Sequence, residues 1–423
     1  MSKRALVRKG LLAITLLSIG SFLVLVALPL TAFTQPAPPR ELTIPIGVIQ
    51  PLTGPGAAWG TSCLRGAEMA VEEVNKKGVG VKGTTYKFKI IAEDDKYFAD
   101  TAVDRVKKLI ERDRVGVVYG SLGSASSLAE APICAANKVL HFFDGFDTNV
   151  IAAANAYSFM LAVNPLSSAQ GYIEFLAQNV PDIRTALLLY VNDATGQAAV
   201  RAYGAEAKKR GWTVPTETYE RGAVEFAPLC VKVIGAKPQL VFLMAVPPGD
   251  AHKVCKGLRE LGYKGPIAQA GAFIMEDLSK MLGNDIGPVY HLSGIGEKPY
   301  TNDSYIAFYN EFLKKYGKGV WTTKELQGYS WVKMYAQAIE TAQTLESSVI
   351  RNLLATPGKE WFHLSGGGKS YCITEQIAKE MGVGSNRLFN VVWQLATWDN
   401  VAKKEVNAGW VYPHGWPGGK LPK

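Results

Sequence analysis

Val115-Gly-Val-Val-Tyr-Gly-Ser-Leu-Gly-Ser-Ala-Ser-Ser-Leu-Ala129 decides the fold, because these residues predict a strand, a tight turn and a helix in direct succession. The β-branched run 115–119 is typical of a strand that is buried in a parallel sheet. Glycine and serine at 120–127 let the backbone turn closely and favour the start of a helix. The first amides of that helix have no intrahelical partner, so they can hold an anion or a carbonyl oxygen at the carboxyl edge of the sheet. Most such turns only cap a helix, but several similar ones recur along this chain.

The same alternation of apolar strands and amphipathic helices continues on both sides of this stretch. Strands are predicted at 42–50, 86–92, 115–119, 139–143 and 157–163, and again at 185–190, 212–219, 239–244, 267–269 and 289–293, with helices between them. The two series meet near Asn164, and helices at 305–316 and 326–345 are expected to rejoin the first series. Residues 388–398 are predicted to form a strand, and the tail 409–419 is predicted to be irregular. We therefore predict an α/β fold of two Rossmann-like lobes with parallel sheets flanked by helices.

Length and charge restrict the class of protein. The 423 residues suffice for two or three domains with large cores. The formal net charge of +9 overstates the basic character, because Lys3, Arg4, Arg8 and Lys9 lie in a head segment without acidic residues. Without these four, 42 basic residues face 37 acidic ones, which leaves a net charge of +5. No basic run is interleaved with aromatic residues, so we do not expect nucleic acid as a partner.

The five cysteines show neither a C-x-x-C pair nor the spacing of a metal site. Cys230 and Cys255 fall early in successive predicted helices and are the best candidates for a disulfide bridge. The other three are expected to be ordinary buried thiols.

The head of the chain has the pattern of an export signal. Residues 3–9 are basic, 10–30 are almost wholly apolar, and Leu30-Thr-Ala32 is a suitable cleavage site, so 1–32 is predicted to be a signal peptide. Residues 33–41 form a proline-rich spacer. Because about 20 apolar residues can also span a bilayer, an uncleaved N-terminal anchor is the alternative. Both interpretations place the protein outside the cytoplasm.

The motifs favour binding over catalysis. There is no G-x-S-x-G elbow and no His-x-x-x-His pair, and we predict neither a metal nor a cofactor. Gly78–Gly83 fits the dinucleotide pattern, but a helix precedes it and a strand follows, which is the reverse of a phosphate turn. Acidic residues follow several predicted strands: Asp94, Asp95, Asp144, Asp147 and Asp193. Such residues more often cap helices or contact a ligand, so an exported hydrolase that uses Asp147 and Asp193 is the lesser alternative.

Four stretches then carry a resemblance to a known family. Ile46-Gly-Val-Ile-Gln-Pro-Leu-Thr-Gly-Pro-Gly-Ala-Ala-Trp-Gly60 is followed by Gly66-Ala-Glu-Met-Ala-Val-Glu-Glu-Val-Asn75. Glu93-Asp94-Asp95 and Val117–Ser124 continue at matching spacing. Together they resemble the periplasmic leucine/isoleucine/valine-binding proteins, over about 42–345. The resemblance implies a type I periplasmic binding fold, with three hinge crossings and a ligand cleft between the lobes.

The resemblance also implies boundaries. Lobe 1 is expected to comprise 42–163 plus 298–365, and lobe 2 is expected to comprise 166–293 plus 366–423. The three crossings are expected near Val163–Leu166, Ser293–Glu297 and Gly366.

The family's ligand contacts map onto ten residues of this chain. They are Trp59, Gly123, Ser124, Gly145, Phe146, Asp147, Thr195, Val246, Gly271 and Tyr329. By this resemblance, Trp59 covers the ligand, and the hydroxyl and amide of Ser124 hold its carboxylate. Gly145 and Asp147 take the places of a backbone and a side-chain contact. Thr195 and Val246 stand where the family carries aromatic residues, and Tyr329 lies close to a further aromatic position.

One departure from the family bears on the ligand. Gly271 stands where amino-acid binders carry a glutamate that receives the ligand's ammonium group. Burying an amine without a counter-charge is unfavourable, so either Asp147 replaces that glutamate or the ligand is a neutral amide or an aromatic acid.

The expected function is therefore that of a solute-binding protein, not an enzyme. The resemblance implies a periplasmic monomer that delivers an amino acid, amide or aromatic acid to an ABC-transporter permease in the inner membrane. Closure of the lobes about the crossings would enclose the solute. A membrane-anchored, ligand-sensing ectodomain is the main alternative.

Overall fold

The computed structural model describes residues 42–161, 164–283, 286–294, 302–365, 368–390 and 392–411. The predicted signal peptide 1–32, the predicted spacer up to residue 41, and the predicted crossing residues Val163 and Gly366 lie outside the described residues. In the part of the chain that is described, none of the helices combines the length and the apolarity that crossing a bilayer requires.

Helices and strands alternate along most of the chain. The helices of the described residues are α1 (Ala57–Lys77), α2 (Ala99–Lys107), α3 (Ser124–Ala136), α4 (Pro165–Asn179), α5 (Ala194–Lys209), α6 (Ala227–Gly235), α7 (Pro248–Glu260), α8 (Met275–Leu282), α9 (Asp303–Tyr316), α10 (Lys324–Ala342), α11 (Ser347–Leu354) and α12 (Glu375–Glu380). The strands are β1 (Leu42–Gln50), β2 (Val79–Val81), β3 (Thr84–Asp94), β4 (Val117–Tyr119), β5 (Leu140–Phe143), β6 (Ser158–Met160), β7 (Ala186–Val191), β8 (Thr216–Tyr219), β9 (Leu240–Met244), β10 (Ile267–Gln269), β11 (Val289–Leu292), β12 (Trp361–Phe362), β13 (Lys369–Cys372), β14 (Phe389–Asn390), β15 (Trp393–Asp399) and β16 (Lys404–Val411).

The first lobe is built on a six-stranded sheet of order β2-β3-β1-β4-β5-β6. All neighbouring strands are parallel except β2, which pairs antiparallel with β3 at the edge. Ile46, Val48 and Ile49 of the central β1 are fully buried, as expected for a parallel strand covered on both faces. The stretch that decides the fold forms β4, a turn and α3, so the predicted strand, turn and helix are confirmed.

The second lobe is built on a seven-stranded sheet of order β16-β15-β11-β10-β9-β7-β8. The strands from β8 to β11 are parallel, and β15 and β16 add an antiparallel edge. Residues 240–244 of β9 are completely buried by helices on both faces. The predicted class of two lobes with mostly parallel, helix-flanked sheets is confirmed. The tail was predicted to be irregular from residue 409, but 404–411 forms a strand because it pairs with β15.

Strands β12, β13 and β14 form a small three-stranded sheet that packs with the first lobe. Between described elements the chain changes lobes three times: between β6 and α4, between β11 and α9, and between β14 and β15. After the second passage α10 packs on α1, and Tyr335 stacks on Phe88 with ring centroids 5.6 Å apart. Helices α9, α10 and α11 thereby complete the first lobe.

The third passage lies later in the chain than expected. Ile373, Ala378 and Leu388 pack with Phe143 and Met160 of the first lobe, although the expected division assigned 366–423 to the second lobe. The apolar run 388–398 was expected to be one strand. It is divided instead, because Leu388 bridges to Met160 whereas β15 pairs with β11.

All five cysteines belong to the described residues and are buried free thiols. The expected bridge between Cys230 and Cys255 is therefore absent from this structure; the Cys230 thiol instead lies 3.7 Å from the carbonyl oxygen of Val254. Burial raises the pKa of Cys230 to about 11 and that of Cys255 to about 12, so both are protonated at neutral pH.

Candidate functional site

The carboxyl edges of both sheets meet at the candidate site, and an indole joins them. Trp59 on α1 is buried, and its Nε1 donates to the carbonyl oxygen of Ala272 in the second lobe over 3.1 Å. The ring packs so closely on Gly271 that an added Cβ there would lie 3.0 Å from Trp59 Cζ2. Any side chain at this position would require the indole to shift by a few tenths of an ångström.

Ser124, the first residue of α3, connects three segments. Its amide donates to Oγ1 of Thr195 in the second lobe over 2.8 Å. Its hydroxyl oxygen accepts from the amides of Phe146 and Asp147, at 2.8 and 3.1 Å. Gly145 allows this turn to approach, because a Cβ there would lie 3.0 Å from Cα of Ser124. The Ser124 groups expected to hold a ligand carboxylate are therefore bonded to protein groups in this structure.

A cavity of about 20 Å³ lies between the lobes beside these contacts. Its lining residues are Trp59, Tyr97, Leu122, Asp144, Phe146, Thr195, Ala245, Ala270, Gly271 and Lys324. Four of them, at positions 59, 146, 195 and 271, are among the site residues predicted from sequence. A volume of this size holds about one water molecule, so a larger solute needs the lobes to move apart or side chains to repack.

The structure places the other predicted site residues around the cavity or away from it. Gly123 precedes α3 and lets the Tyr97 ring approach. Oδ1 of Asp147 accepts from the amide of Asn149 and caps a short turn of 3₁₀ helix. Val246 is buried, and its carbonyl oxygen accepts from Nε2 of Gln269 at 2.5 Å.

Tyr329 lies away from the cavity, between α1 and α10. Its hydroxyl donates to Glu73, and its ring packs on Phe308 with centroids 4.7 Å apart. The residue of α10 that lines the cavity is instead Lys324.

Asp144 and Lys324 are the two lining residues that carry charge and that the predicted site did not include. Asp144 directly follows β5, so its place at a strand end was a usable signal; Lys324 had no signal in the local sequence. Oδ2 of Asp144 accepts from the Tyr119 hydroxyl at 2.5 Å. Burial raises the pKa of Asp144, although the charge of Lys324 and the Tyr119 hydrogen bond act in the opposite direction.

A further contact joins the lobes beside the cavity. The guanidinium of Arg221, in the second lobe, lies over the ring of Tyr97, in the first lobe, at 3.8 Å from its centroid. Arg221 also forms an ion pair with Asp193. The amide of Gly249 donates to the carbonyl oxygen of Pro55 over 3.4 Å. Together with the hydrogen bond from Ser124 to Thr195, these two contacts between the lobes supplement the one made by Trp59.

A serine, histidine and glutamate also meet in the first lobe. Nδ1 of His141 lies 3.0 Å from the Ser158 hydroxyl, and Nε2 lies 3.2 Å from Oε2 of Glu130. All three side chains are completely buried, which keeps substrate from reaching the hydroxyl. The other acids considered for hydrolysis are engaged elsewhere, since Asp193 pairs with Arg221 and Asp147 caps a turn.

No group of three or more His, Cys, Asp or Glu side chains within the described ranges is arranged to hold a metal ion. The lining of the cavity supplies the hydroxyl of Thr195 for hydrogen bonds, an acidic and a basic side chain, and the aromatic surface of Trp59.

Comparison with known proteins agrees with this geometry. The family model described as "Periplasmic binding protein" matches residues 43–375. The Leu/Ile/Val-binding protein homolog 7 of Brucella abortus is 23% identical over 352 residues, which cover 78% of this chain and 85% of the relative.

Solved structures show the same fold. The branched-chain amino acid transporter substrate binding protein LivJ of Streptococcus pneumoniae, in complex with isoleucine, superposes with a TM-score of 0.72 at 19% identity, covering 88% of this chain and 100% of LivJ. A solute binding protein of an ABC transporter from R. palustris, in complex with benzoate, superposes with a TM-score of 0.73 at 14% identity, covering 88% and 97%.

Proposed function

Since the chain belongs to the periplasmic binding protein family, we propose that it is the extracytoplasmic solute-binding protein of an ABC importer of the branched-chain amino acid type. It binds one small polar or amphipathic solute (an amino acid, an amide or an aromatic acid) and delivers it to a permease in the inner membrane. It acts as a periplasmic monomer after export and catalyses no reaction. The isoleucine complex of LivJ and the benzoate complex of the R. palustris protein support a solute of this size.

The observation that carries this proposal is the cavity that both lobes line and that direct contacts between the lobes close. Trp59 reaches Ala272, and the Ser124 amide reaches Thr195, so these contacts form only when the lobes are together. The three passages of the chain between the sheets supply the hinge about which the lobes separate. Closure removes water from the solute and strengthens its polar contacts.

In this mechanism the solute replaces some of the direct contacts between the lobes. Separation of the lobes frees the Ser124 amide from Thr195, and that amide then points into the cleft at the N-terminus of α3. The indole of Trp59 provides the apolar wall of the cleft on the first lobe. A bound solute holds the two lobes together through both surfaces, and the closed form is the one presented to the permease.

Calorimetry over a panel of amino acids, amides and aromatic acids tests the proposal. Trp59→Ala should weaken binding of the best solute by about tenfold or more, because it removes a large apolar surface. Trp212→Ala is the matched control, since Trp212 is also buried but packs in the core of the second lobe and does not line the cavity. This control should bind within about threefold of wild type. If Trp59→Ala binds as tightly as wild type, the cavity is not the solute site.

Sequencing the N-terminus of the mature protein tests export. A start near Phe33 supports a free binding protein, whereas a chain that begins at Met1 in the membrane fraction supports the anchored ectodomain. The apolar run 10–30 is the feature that keeps the second candidate open.

A further inference from the structure

The cavity contains two opposite charges that both come from the first lobe. Asp144 follows the carboxyl end of β5, and Lys324 is the first residue of α10. The other described residues that line the cavity are aromatic, small or apolar, apart from the hydroxyl of Thr195. A solute enclosed here meets one carboxyl group and one ammonium group on the same wall.

One oxygen of Asp144 lacks a protein partner. Asp144 is only 1% exposed, and its Oδ2 accepts from Tyr119 and lies 4.0 Å from the thiol of Cys63. Its Oδ1 is buried without a hydrogen-bond partner among the described residues. A buried acceptor left unpaired is unfavourable for the folded protein. A donor on the solute would remove this unfavourable term.

A comparison of Asp144 with Asp250 shows that the place of an unpaired carboxylate oxygen in the fold matters. Asp250 in the second lobe is equally buried, its Oδ2 accepts from the Tyr219 hydroxyl at 3.0 Å, and its Oδ1 also lacks a partner among the described residues. Asp250 lies outside the cavity lining, whereas Asp144 is part of it. An unpaired oxygen alone therefore does not define a site, whereas Asp144 combines one with a place in the lining of a cavity that both lobes share.

Burial raises the pKa of Asp144, and the neighbouring groups oppose that rise. The groups that face it are Tyr119 on β4, Cys63 on α1 and Lys324 on α10. The Tyr119 hydroxyl donates to the carboxylate, and the Lys324 charge attracts it, while burial opposes ionisation and raises the pKa. Asp147 is not among the residues that line the cavity, its Oδ1 accepts from Asn149, and its Oδ2 lies 3.9 Å from the guanidinium of Arg201.

We propose that Oδ1 of Asp144 accepts a hydrogen bond from an N–H group of the solute, and that the solute therefore carries an ammonium or a carboxamide group. Lys324 supplies the positive charge for an oxygen of the same solute. This inference rests on the proposed function. Amino-acid binders of the family recognise the nitrogen of the solute with a glutamate of the second lobe, and this chain has Gly271 at that position. In the present proposal Asp144 of the first lobe takes that role.

Two matched pairs of probes test the solute class by calorimetry on the full chain. The first pair is L-isoleucine and 3-methyl-2-oxopentanoate, and the second is benzamide and benzoate; in each pair only the first member has an N–H donor. We expect the N–H member of at least one pair to bind about tenfold or more tighter than its partner. Equal or tighter binding of the oxo acid and of benzoate would overturn the inference.

Two substitutions at Asp144 then identify the chemical group. Asp144→Asn removes the charge but keeps an acceptor oxygen, and Asp144→Ala removes both. An ammonium solute should lose about tenfold or more in affinity in both variants, whereas a carboxamide should lose it only in Asp144→Ala. Asp250→Asn is the matched control and should bind within about threefold of wild type. Asp144→Ala that binds as tightly as wild type would contradict the inference.

A measurement on the wild type alone guards against variants that fail to fold. Protonation of Asp144 removes the negative charge that attracts an ammonium group but leaves a carbonyl oxygen that still accepts, so the affinity for L-isoleucine should fall as the pH is lowered, whereas that for benzamide should not. Because the pKa of Asp144 is raised, the fall should begin at a higher pH than an ordinary aspartate would give. An affinity for L-isoleucine that is constant down to pH 4 opposes recognition of its ammonium group by Asp144. A wild type that binds none of the four probes overturns the inference, and one that binds no member of the wider panel overturns the proposed function as well.

Discussion

Glu325 shows at a single residue how burial couples protonation to stability. Its side chain is completely buried near the start of α10, and Oε1 accepts from the amide of Thr322 at 2.9 Å. Burial raises its pKa from 4.5 to about 7. The folded state therefore binds a proton more tightly than the unfolded state does. The resulting stabilisation is fully present below pH 4.5 and is lost as the pH rises through 7.

Glu325→Gln should remove this dependence. Glutamine keeps an oxygen for the Thr322 amide but never ionises, so the variant should be more stable than wild type at pH 8 by up to about 3 kcal/mol. The two proteins should differ least near pH 4.5. Urea unfolding at pH 4.5, 6 and 8 measures the difference. Glu340→Gln, an exposed position on the same helix, is the control and should follow wild type at every pH. Parallel curves for Glu325→Gln and wild type would contradict the prediction.

At the scale of elements, two glycines let α1 and α10 pack backbone to backbone. An added Cβ at Gly66 would overlap the carbonyl oxygen of Glu325, and one at Gly328 would overlap the carbonyl oxygen of Cys63. Both obstacles are main chain, which cannot turn aside as a flexible side chain does. The close crossing also places Lys324, at the start of α10, beside the cavity.

Gly328→Ala should therefore destabilise the protein although alanine favours helices. We expect a loss of about 2 kcal/mol or more in the free energy of unfolding, from separation of the two helices. Gly235→Ala is the matched control, because Gly235 is helical and an added Cβ there would meet no described atom within 4 Å. That variant should equal or exceed wild type in stability. Urea unfolding checks both, and equal stabilities of Gly328→Ala and Gly235→Ala would refute the argument.

The sequence predicted best those helices whose apolar residues recur at helical spacing and those strands that form an unbroken apolar run. Helix α3 has the predicted bounds, and β1 and β10 also agree, because apolar runs between turn residues identify strands. The short helices α8 and α11 were not predicted. The run 388–398 was wrongly joined into one strand, because nothing in its residues indicates that Phe389 packs in one lobe and Trp393 in the other.

The candidate site was only partly accessible from sequence for a related reason. Trp59 lies in the first turn of the helix after β1, and Phe146 lies three residues after β5, so their place near the sheet edge could be predicted. The contribution of α10 depends on how that helix is rotated. Tyr329 and Lys324 are five residues apart, which turns their side chains by about 140° relative to each other. If the rotation of α10 about its axis is wrong by this angle, Tyr329 is placed in the cavity instead of Lys324. The local sequence does not determine that rotation.

At the scale of the whole molecule, the lobes hold together through contacts that the solute need not provide. One of these contacts depends on the planar shape of the arginine side chain: the guanidinium of Arg221 stacks on the ring of Tyr97, 3.8 Å from its centroid. The ion pair with Asp193 keeps Arg221 in place from within its own lobe. Arg221 therefore stabilises the contact between the lobes, and under the proposed function it would slow the release of a bound solute.

Arg221→Lys should loosen closure while keeping the positive charge beside Asp193, because lysine lacks the planar group that stacks on an aromatic ring. A desolvated cation–π contact contributes about 1–2 kcal/mol, so the rate of solute dissociation should rise about fivefold to thirtyfold. Stopped-flow tryptophan fluorescence measures that rate, and small-angle X-ray scattering should show a larger radius of gyration without solute. Arg65→Lys is the matched control, since Arg65 lies over Tyr316, 4.9 Å from its centroid, within the first lobe. Equal dissociation rates in the two variants would mean that the lobes close without help from Arg221.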